Sequence, residues 1–158
     1  MSRIGLEILG QLYDEHAPSL LLYARQWCET PEDVVQEAFI ALARQRTTPD
    51  RVLPWMYRVV RNGALAASRG SRRRHRREAK AAGEADPWFA AADDRIDARH
   101  AQALLEELDE ETRAIIVARI WGGLTFDQIA RAQGCSLTTA HRRYQAGLAR
   151  LQERMEGS

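Results

Sequence analysis

One face of a helix predicted to begin near Pro54 carries an aromatic ring, guanidinium groups and an amide. These residues recur at helical spacing: Trp55, Arg58, Asn62 and Arg69, with Arg61 at the edge of the face. Aromatic rings stack on unpaired bases, and arginines bind the phosphates beside them. This face is therefore suited to binding single-stranded nucleic acid, whereas the stripe behind it, from Met56 to Ala67, is apolar and suited to a core.

Charge is strongly segregated along the 158 residues, although the net charge is only +1. Residues 51–80 contain ten lysines or arginines and one acid, and they include the run RRRHRR at 72–77. Acidic residues dominate on both sides of this segment, and basic residues dominate again after residue 113. The run alone would suit a solvated helix end, but two basic segments separated by an acidic one suggest two contacts with one long polyanion.

The preceding helix is predicted from Pro31 to about Gln45, with Thr30 as its cap and acids in its first turn. Its apolar stripe is Val35, Ala38, Phe39 and Leu42. The opposite face carries Asp33, Gln36, Glu37, Ile40 and Arg44. This face could dock a basic partner helix, although a solvated surface helix fits the same pattern.

The Ala17–Pro18 pair is predicted to break or kink the first helix of the chain.

The loop between these two helices, residues 46–53, is polar and carries Arg46 and Arg51 beside Trp55. A loop of this kind could hold a base that has left its stack. It could equally be a plain connection between helices.

A second informative pattern lies in residues 124–151. Thr125 and Gln128 fit a capping box, Gly134 fits a tight turn, and Ser136 fits the cap of a following helix. This spacing predicts a helix-turn-helix. Its second helix should bury an apolar stripe consisting of Leu137, Ala140, Tyr144, Leu148 and Leu151.

The outward residues of that second helix are of types that bind base edges and phosphates in a major groove. They are Thr138, Arg142 and Gln145, flanked by Thr139, His141 and Arg143. An ordinary helical hairpin with a polar exterior is the alternative. The caps, the turn and the outward side chains together favour DNA binding.

Catalytic and metal chemistry find little support. The four histidines and two cysteines lack metal-ligand spacing, and no nucleotide-binding or hydrolase motif is present. We therefore predict no cofactor, no metal and no enzymatic activity. No apolar run approaches the roughly 20 residues of a membrane span, so we expect a cytoplasmic protein without membrane contact.

The runs DVVQEAFI (33–40) and PWMYRVVRN (54–62) resemble the second conserved region of bacterial sigma factors of the extracytoplasmic function type. The upstream LYDEHAPSLLLYAR is similar to that family's opening helices. The resemblance implies docking to the clamp helices of the largest subunit of core RNA polymerase. The residues implied are Asp33, Val34, Gln36, Glu37 and Ile40.

The same resemblance assigns the loop and the helix after it to the −10 promoter element. In that family these parts open the duplex and hold a flipped base of the non-template strand. The residues implied are Arg46, Arg51, Trp55, Arg58, Arg61 and Asn62.

The stretch TFDQIARAQGCSLTTAHRRY (125–144) resembles the fourth conserved region of the same family. That region reads the −35 element and contacts the flap of the second-largest polymerase subunit. The resemblance gives Thr138, Thr139, His141, Arg142, Arg143 and Gln145 a promoter DNA ligand. Family members are often held inactive by an anti-sigma factor. Gln133 departs from the family, which usually has an apolar residue there, and Gly147 should cost its helix roughly 1 kcal/mol against alanine.

The predicted fold is all-α, with two small helical domains at residues 1–80 and 94–158 and a linker at 81–93. The favoured hypothesis is a promoter-recognition sigma subunit. The main alternative is a stand-alone helix-turn-helix regulator with an N-terminal interaction domain. In that case the aromatic–arginine face and the acidic face would have no evident use.

Overall fold

A computed structural model describes residues 3–82 and 102–156, with side chains described to residue 70 and again from residue 102. Within these ranges the chain is helical, without strands, as predicted. The helices are α1 (Leu6–Ala24), α2 (Pro31–Arg44), α3 (Val52–Ala82), α4 (Glu110–Ile120), α5 (Phe126–Gln133) and α6 (Leu137–Glu156). Residues 102–106 are also helical. No helix in the described ranges is both long and apolar enough to span a bilayer.

The first three helices pack together, and α2 buries the stripe predicted for it. Val35, Ala38, Phe39 and Leu42 are all buried. The prediction of a side-chain cap at Thr30 is wrong. Its backbone, at φ −116° and ψ 56°, departs from the extended conformation of a typical N-cap, and its hydroxyl accepts no cap hydrogen bond.

Helix α1 continues through Pro18 without the break that the sequence suggests. Proline removes one backbone donor and strains the preceding turn. Here Pro18 faces solvent, whereas its neighbours Ala17 and Leu20 are buried. Burial on the inner side of the helix therefore outweighs the local cost of the proline.

Local signals delimit the first long helix of the C-terminal group. Asp109 caps α4 by accepting a hydrogen bond from the Thr112 amide at 2.7 Å. The helix ends at Ile120, just before the Gly122–Gly123 pair. A small apolar cluster of Leu105, Leu108 and Ile116 joins residues 102–108 to α4. Residues 102–108 are therefore packed against the second group of helices.

The two groups of helices meet in one continuous core. Helix α1 contacts α4, and α3 contacts α5. Tyr23 and Tyr57 from the first group lie in the same buried cluster as Ile115, Leu124 and Ile129 from the second. The predicted domain boundaries remain predictions, since residues 83–93 of the linker lie outside the described ranges and α3 extends over 81 and 82.

Candidate nucleic-acid interfaces

The aromatic–arginine face of α3 consists of Trp55, Arg58, Arg61, Asn62 and Arg69. Its residues lie in two different environments. Arg58 and Asn62 are exposed, and Trp55 is half-buried, with its ring packed against the core. That packing fixes the Trp55 ring while leaving part of it accessible for stacking. Arg61 differs, because only 19% of its side chain is exposed.

Arg61 lies in the contact between the two groups of helices. Its Nη2 donates a 2.7 Å hydrogen bond to Oε1 of Glu111 in α4. The guanidinium also lies over the ring of Trp27, 5.5 Å from the centroid, within cation–π range. Arg61 is therefore held from both sides, whereas Arg58, one turn earlier, faces solvent.

Tyrosines lie beneath this contact. The rings of Tyr23 and Tyr57 meet edge to face, with centroids 4.7 Å apart, and Tyr23 packs in the same way on Trp27. Burial raises the pKa of Tyr57 to about 12. Burial raises the pKa of Tyr23 too, so both phenols are neutral at physiological pH.

The loop arginines are both exposed, and one of them also meets the C-terminal helices. Arg51 Nη1 lies 3.7 Å from Oδ2 of Asp127, in α5. Arg131 Nε approaches the same oxygen at 3.2 Å. Arg46 is exposed near the end of α2.

The acidic face of α2 is exposed at four of the five residues assigned to polymerase. Asp33, Gln36, Glu37 and Ile40 lie at the surface, and Ile40 is 42% exposed. Val34 is buried instead. Its Cγ1 packs over Gly63 of α3, where a Cβ would lie 3.2 Å away. Val34 thus supports the helix from within rather than forming part of its outer surface.

The helix-turn-helix is formed by α5 and α6. The Thr125 hydroxyl accepts a hydrogen bond from the Gln128 amide, and the Gln128 side chain accepts one from the Thr125 amide, so the predicted capping box is complete. Gly134 ends α5 at φ 66°, a left-handed conformation that glycine adopts without strain. Ser136 Oγ then accepts a hydrogen bond from the Thr139 amide at 3.0 Å, which caps α6.

The second helix of the motif exposes most of the residues assigned to DNA. Thr138, His141, Arg142 and Gln145 are exposed. Thr139 and Arg143 are half-buried, and the Thr139 hydroxyl is already hydrogen-bonded to Ser136 at 2.9 Å. The His141 ring packs edge to face on Phe126 of α5, with centroids 5.0 Å apart. This contact positions the imidazole at the surface.

Of the stripe predicted for α6, Ala140 is buried, whereas Tyr144, Leu148 and Leu151 are half-buried. Leu137 does not join the stripe. It is 53% exposed, whereas Ala140, one turn later, is fully buried. Leu137 is the first residue of the helix. An exposed leucine there places apolar surface beside the polar residues that we assign to DNA.

The sequence pattern does not identify two further residues that lie at the contact between the helix groups. Glu111 reads as a charged residue in the first turn of α4, and Gln133 as a departure from the family. Gln133 is buried, and its Nε2 donates to Glu111 Oε2 at 2.9 Å and to the Glu111 carbonyl at 3.2 Å. Sequence periodicity carries no signal for this contact, because Arg61 and Glu111 lie 50 residues apart.

Taken together, these features define a two-part helical DNA-binding protein. The family model for Sigma-70 region 2 matches residues 12–74, and the model for Sigma-70 region 4 matches residues 99–151. The chain belongs to the sigma-70 family, whose members are promoter-recognition subunits. The order of the two regions agrees with the resemblance noted in the sequence.

Solved structures share this fold. CnrH, in complex with the cytosolic domain of CnrY, is 23% identical with a TM-score of 0.67, and the alignment covers 98% of this chain and 91% of CnrH. The sigma factor RpoE from Bartonella quintana, in complex with the anti-sigma factor NepR, is 22% identical with a TM-score of 0.72. That alignment covers 96% of this chain and 98% of RpoE. No curated protein gives a significant match in sequence.

Proposed function

We propose that this chain is a sigma factor of the extracytoplasmic function type that binds core RNA polymerase and directs it to promoters. The observation that carries the proposal is the presence, in order on one chain, of a region 2 match and a region 4 match. A stand-alone regulator would need only the helix-turn-helix. It would leave the match over residues 12–74 without a function.

Polymerase docking is assigned to the outer face of α2. Asp33, Gln36, Glu37 and Ile40 form an exposed surface of acids, an amide and an apolar side chain. Such a surface suits a partner helix with basic and apolar residues. We assign it to the clamp helices of the largest subunit. Contact with the flap of the second-largest subunit is assigned to the region 4 helices.

Recognition of the −10 element is assigned to Trp55, Arg58, Arg61 and Asn62, together with Arg46 and Arg51 from the preceding loop. An indole offers a stacking surface for an unpaired base, and the guanidiniums bind phosphates beside it. Binding energy given only to the single strand shifts the duplex towards the melted state. Promoter opening by this route needs no catalytic residue, and we propose that the chain is not itself an enzyme.

Recognition of the −35 element is assigned to the exposed side of α6. The first turns of a recognition helix lie closest to base edges in the major groove. Thr138, His141, Arg142 and Gln145 are exposed there, and Thr139 and Arg143 lie at the margins. Arginine can bind a guanine through two hydrogen bonds, so Arg142 is the residue most suited to reading sequence.

Control by an anti-sigma factor is part of the proposal. Both similar structures are complexes, one with the cytosolic domain of CnrY and the other with the anti-sigma factor NepR. The likeness of this chain to both supports a corresponding protein partner. We place the chain with polymerase in the cytoplasm.

Transcription in vitro tests the proposal directly. Bacterial core polymerase would be supplied with a library of host genomic fragments, with and without the purified chain. Discrete start sites that depend on the chain are expected, with shared elements near −35 and −10. Duplex binding without new transcripts, together with failure to co-elute with core polymerase, would favour the stand-alone regulator.

A further inference from the structure

The contact between the two groups of helices uses arginines that we assign to −10 DNA. Arg61 pairs with Glu111 of α4 at 2.7 Å, and Arg51 pairs with Asp127 of α5 at 3.7 Å. Each of these two region 2 arginines thus contacts a carboxylate of region 4. The phosphates of a melted strand would need the same guanidinium groups.

The Arg61–Glu111 pair is the more enclosed of the two. The exposed fractions of its side chains are 19% and 31%, against 59% and 52% for Arg51 and Asp127. Charge pairs removed from solvent are screened less by salt. Arg61 is therefore the residue at which region 4 can compete most effectively with DNA.

Glu111 is held so that one oxygen faces Arg61. Its Oε2 accepts from Gln133 at 2.9 Å, while its Oε1 accepts from Arg61 at 2.7 Å. Gln133 also donates to the Glu111 carbonyl, so side chain and backbone are fixed together. A carboxylate positioned in this way offers a guanidinium the same kind of charge-assisted hydrogen bond as a phosphate.

The surrounding interface leaves several buried polar atoms without hydrogen-bond partners. Among the described side chains these atoms include Tyr23 Oη, Gln26 Oε1, Trp27 Nε1, Arg61 Nε and Gln133 Oε1. Buried polar groups are nearly always paired in permanent cores, because an unpaired group loses its hydration without compensation. Separation of the two regions would return these atoms to water, which lowers the cost of opening this contact.

We propose that Glu111 is an autoinhibitory residue that occupies, in cis, the Arg61 guanidinium that region 2 uses for the −10 strand. The proposal rests on the proposed function for the identity of the DNA. In the closed arrangement region 4 covers Arg61, while Trp55, Arg58 and Asn62 retain exposed surface. A single strand must then bind without Arg61 or displace Glu111. The apparent affinity for DNA falls with the fraction of open molecules.

Fluorescence anisotropy with a fluorescein-labelled, random-sequence single-stranded 12-mer tests this competition without polymerase. Glu111→Gln removes the charge but keeps the shape and a hydrogen-bonding oxygen for Gln133. We expect the affinity of this variant for the probe to be at least about fivefold higher than that of the unmodified chain. Glu107→Gln is the matched control. Glu107 pairs with Arg154 at the same 2.7 Å, but within region 4, so its affinity should stay unchanged.

A double-mutant cycle separates competition from a general effect of charge. In an Arg61→Ala background, Glu111→Gln should give no gain, because the guanidinium that it frees is absent. A gain that persists in that background would overturn the proposal. So would an equal gain in Glu107→Gln, or equal affinity of Glu111→Gln and the unmodified chain.

Small-angle X-ray scattering supplies a second readout, first on the unmodified chain and then on the two variants. Saturating probe should increase the radius of gyration as the two regions separate, and Glu111→Gln should be more extended than Glu107→Gln without DNA. Unchanged dimensions in both comparisons would overturn the proposal. Polymerase is absent from all these measurements. A failure of chain-dependent transcription would therefore refute the proposed function and leave the competition between Glu111 and DNA separately measured.

Discussion

Tyr57 and Gly122 meet where the two regions join, with no space between them for a side chain. A Cβ at position 122 would lie 2.5 Å from the Tyr57 hydroxyl oxygen and 2.6 Å from the carbonyl oxygen of Ala118. Gly122 follows α4 directly, whereas Tyr57 is a fully buried residue of α3. The close approach of region 4 to region 2 thus depends on glycine at this position.

Gly122→Ala should destabilise this contact. The added methyl meets a backbone oxygen that cannot move freely, so we expect a loss of about 1–3 kcal/mol in the free energy of unfolding. Chemical denaturation followed by circular dichroism would measure it. Gly10→Ala is the control, since nothing lies within 4 Å of a Cβ there and α1 should gain up to about 1 kcal/mol. Equal effects of the two substitutions would contradict the packing argument.

Gly147→Ala should also destabilise the chain, although alanine is the better helix former. Gly147 lies in α6 against α4, where a Cβ would be 2.8 Å from Thr112 Cγ2 and 3.0 Å from Ile116 Cδ1. We expect a net loss of about 1 kcal/mol or more after the gain in helix propensity. Thr112→Ser removes the nearer methyl, so the double variant should lose less than the two single losses combined. Additive losses would show that the methyl contact is not the cause.

Gly122 and Gly147 show that a sequence pattern predicts local structure but not contacts between distant residues. The capping box at Thr125, the turn at Gly134 and the cap at Ser136 were predicted correctly, because each depends on residues within four positions of one another. The cost assigned to Gly147 reflected helix propensity alone. Its packing against Thr112, 35 positions earlier, follows only from the folded chain.

At the candidate interfaces too, the sequence predicts local patterns but not contacts between distant residues. Helical periodicity correctly placed Asp33 and Glu37 on an exposed face, since amphipathicity is a local property. Periodicity also put Arg61 beside Trp55 and Arg58, but it could not show that Glu111 covers it. Val34 lies inside the family motif DVVQEAFI, but its contact with Gly63 of α3 places it in the core.

Asp109 should make the stability of α4 depend on pH. Burial alone would raise the pKa of this carboxyl, but hydrogen bonds from Thr112 outweigh that effect and lower it from the ordinary 3.8. The carboxylate therefore stabilises the folded chain fully above about pH 4, and this contribution disappears as the pH falls through the lowered pKa. Asp109→Ala should cost about 1 kcal/mol at neutral pH. Thermal melts from pH 2 to 7 would measure both effects.

Asp109→Asn provides the control, because asparagine also caps helices but does not titrate. The difference in stability between Asp and Asn should be constant at neutral pH and change only in the acid range. A difference that is independent of pH would contradict the assigned role of the charge.

Reversing the acidic face of α2 should impair polymerase docking. Asp33→Arg with Glu37→Arg puts positive charge where we propose a basic partner helix, and affinity for core polymerase should fall about tenfold or more. Asp33 is in the first turn of α2, so some helix stability is also lost, about 1 kcal/mol at most. Co-elution with core polymerase measures the first effect, and circular dichroism the second.

Glu7→Arg with Asp14→Arg makes the same change of charge on exposed residues of α1, a helix to which we assign no polymerase contact. This control should bind polymerase as the unmodified chain does. Equal weakening by both pairs would assign the effect to net charge and count against docking through α2.

Arg142→Ala should weaken recognition of the upstream promoter element while polymerase binding is retained. Arg142 is exposed on α6, and loss of a guanidinium that contacts a base costs about 1–3 kcal/mol of discrimination. Holoenzyme binding to promoter fragments with intact and scrambled −35 elements would measure this, and Arg142→Ala should narrow the difference between the two fragments. Arg150→Ala removes the same charge two turns further along the same face of the helix, and it should leave discrimination intact because it lies beyond the N-terminal turns that enter the groove. If Arg142→Ala instead abolished polymerase binding, Arg142 would belong to the proposed flap contact rather than to the −35 contact.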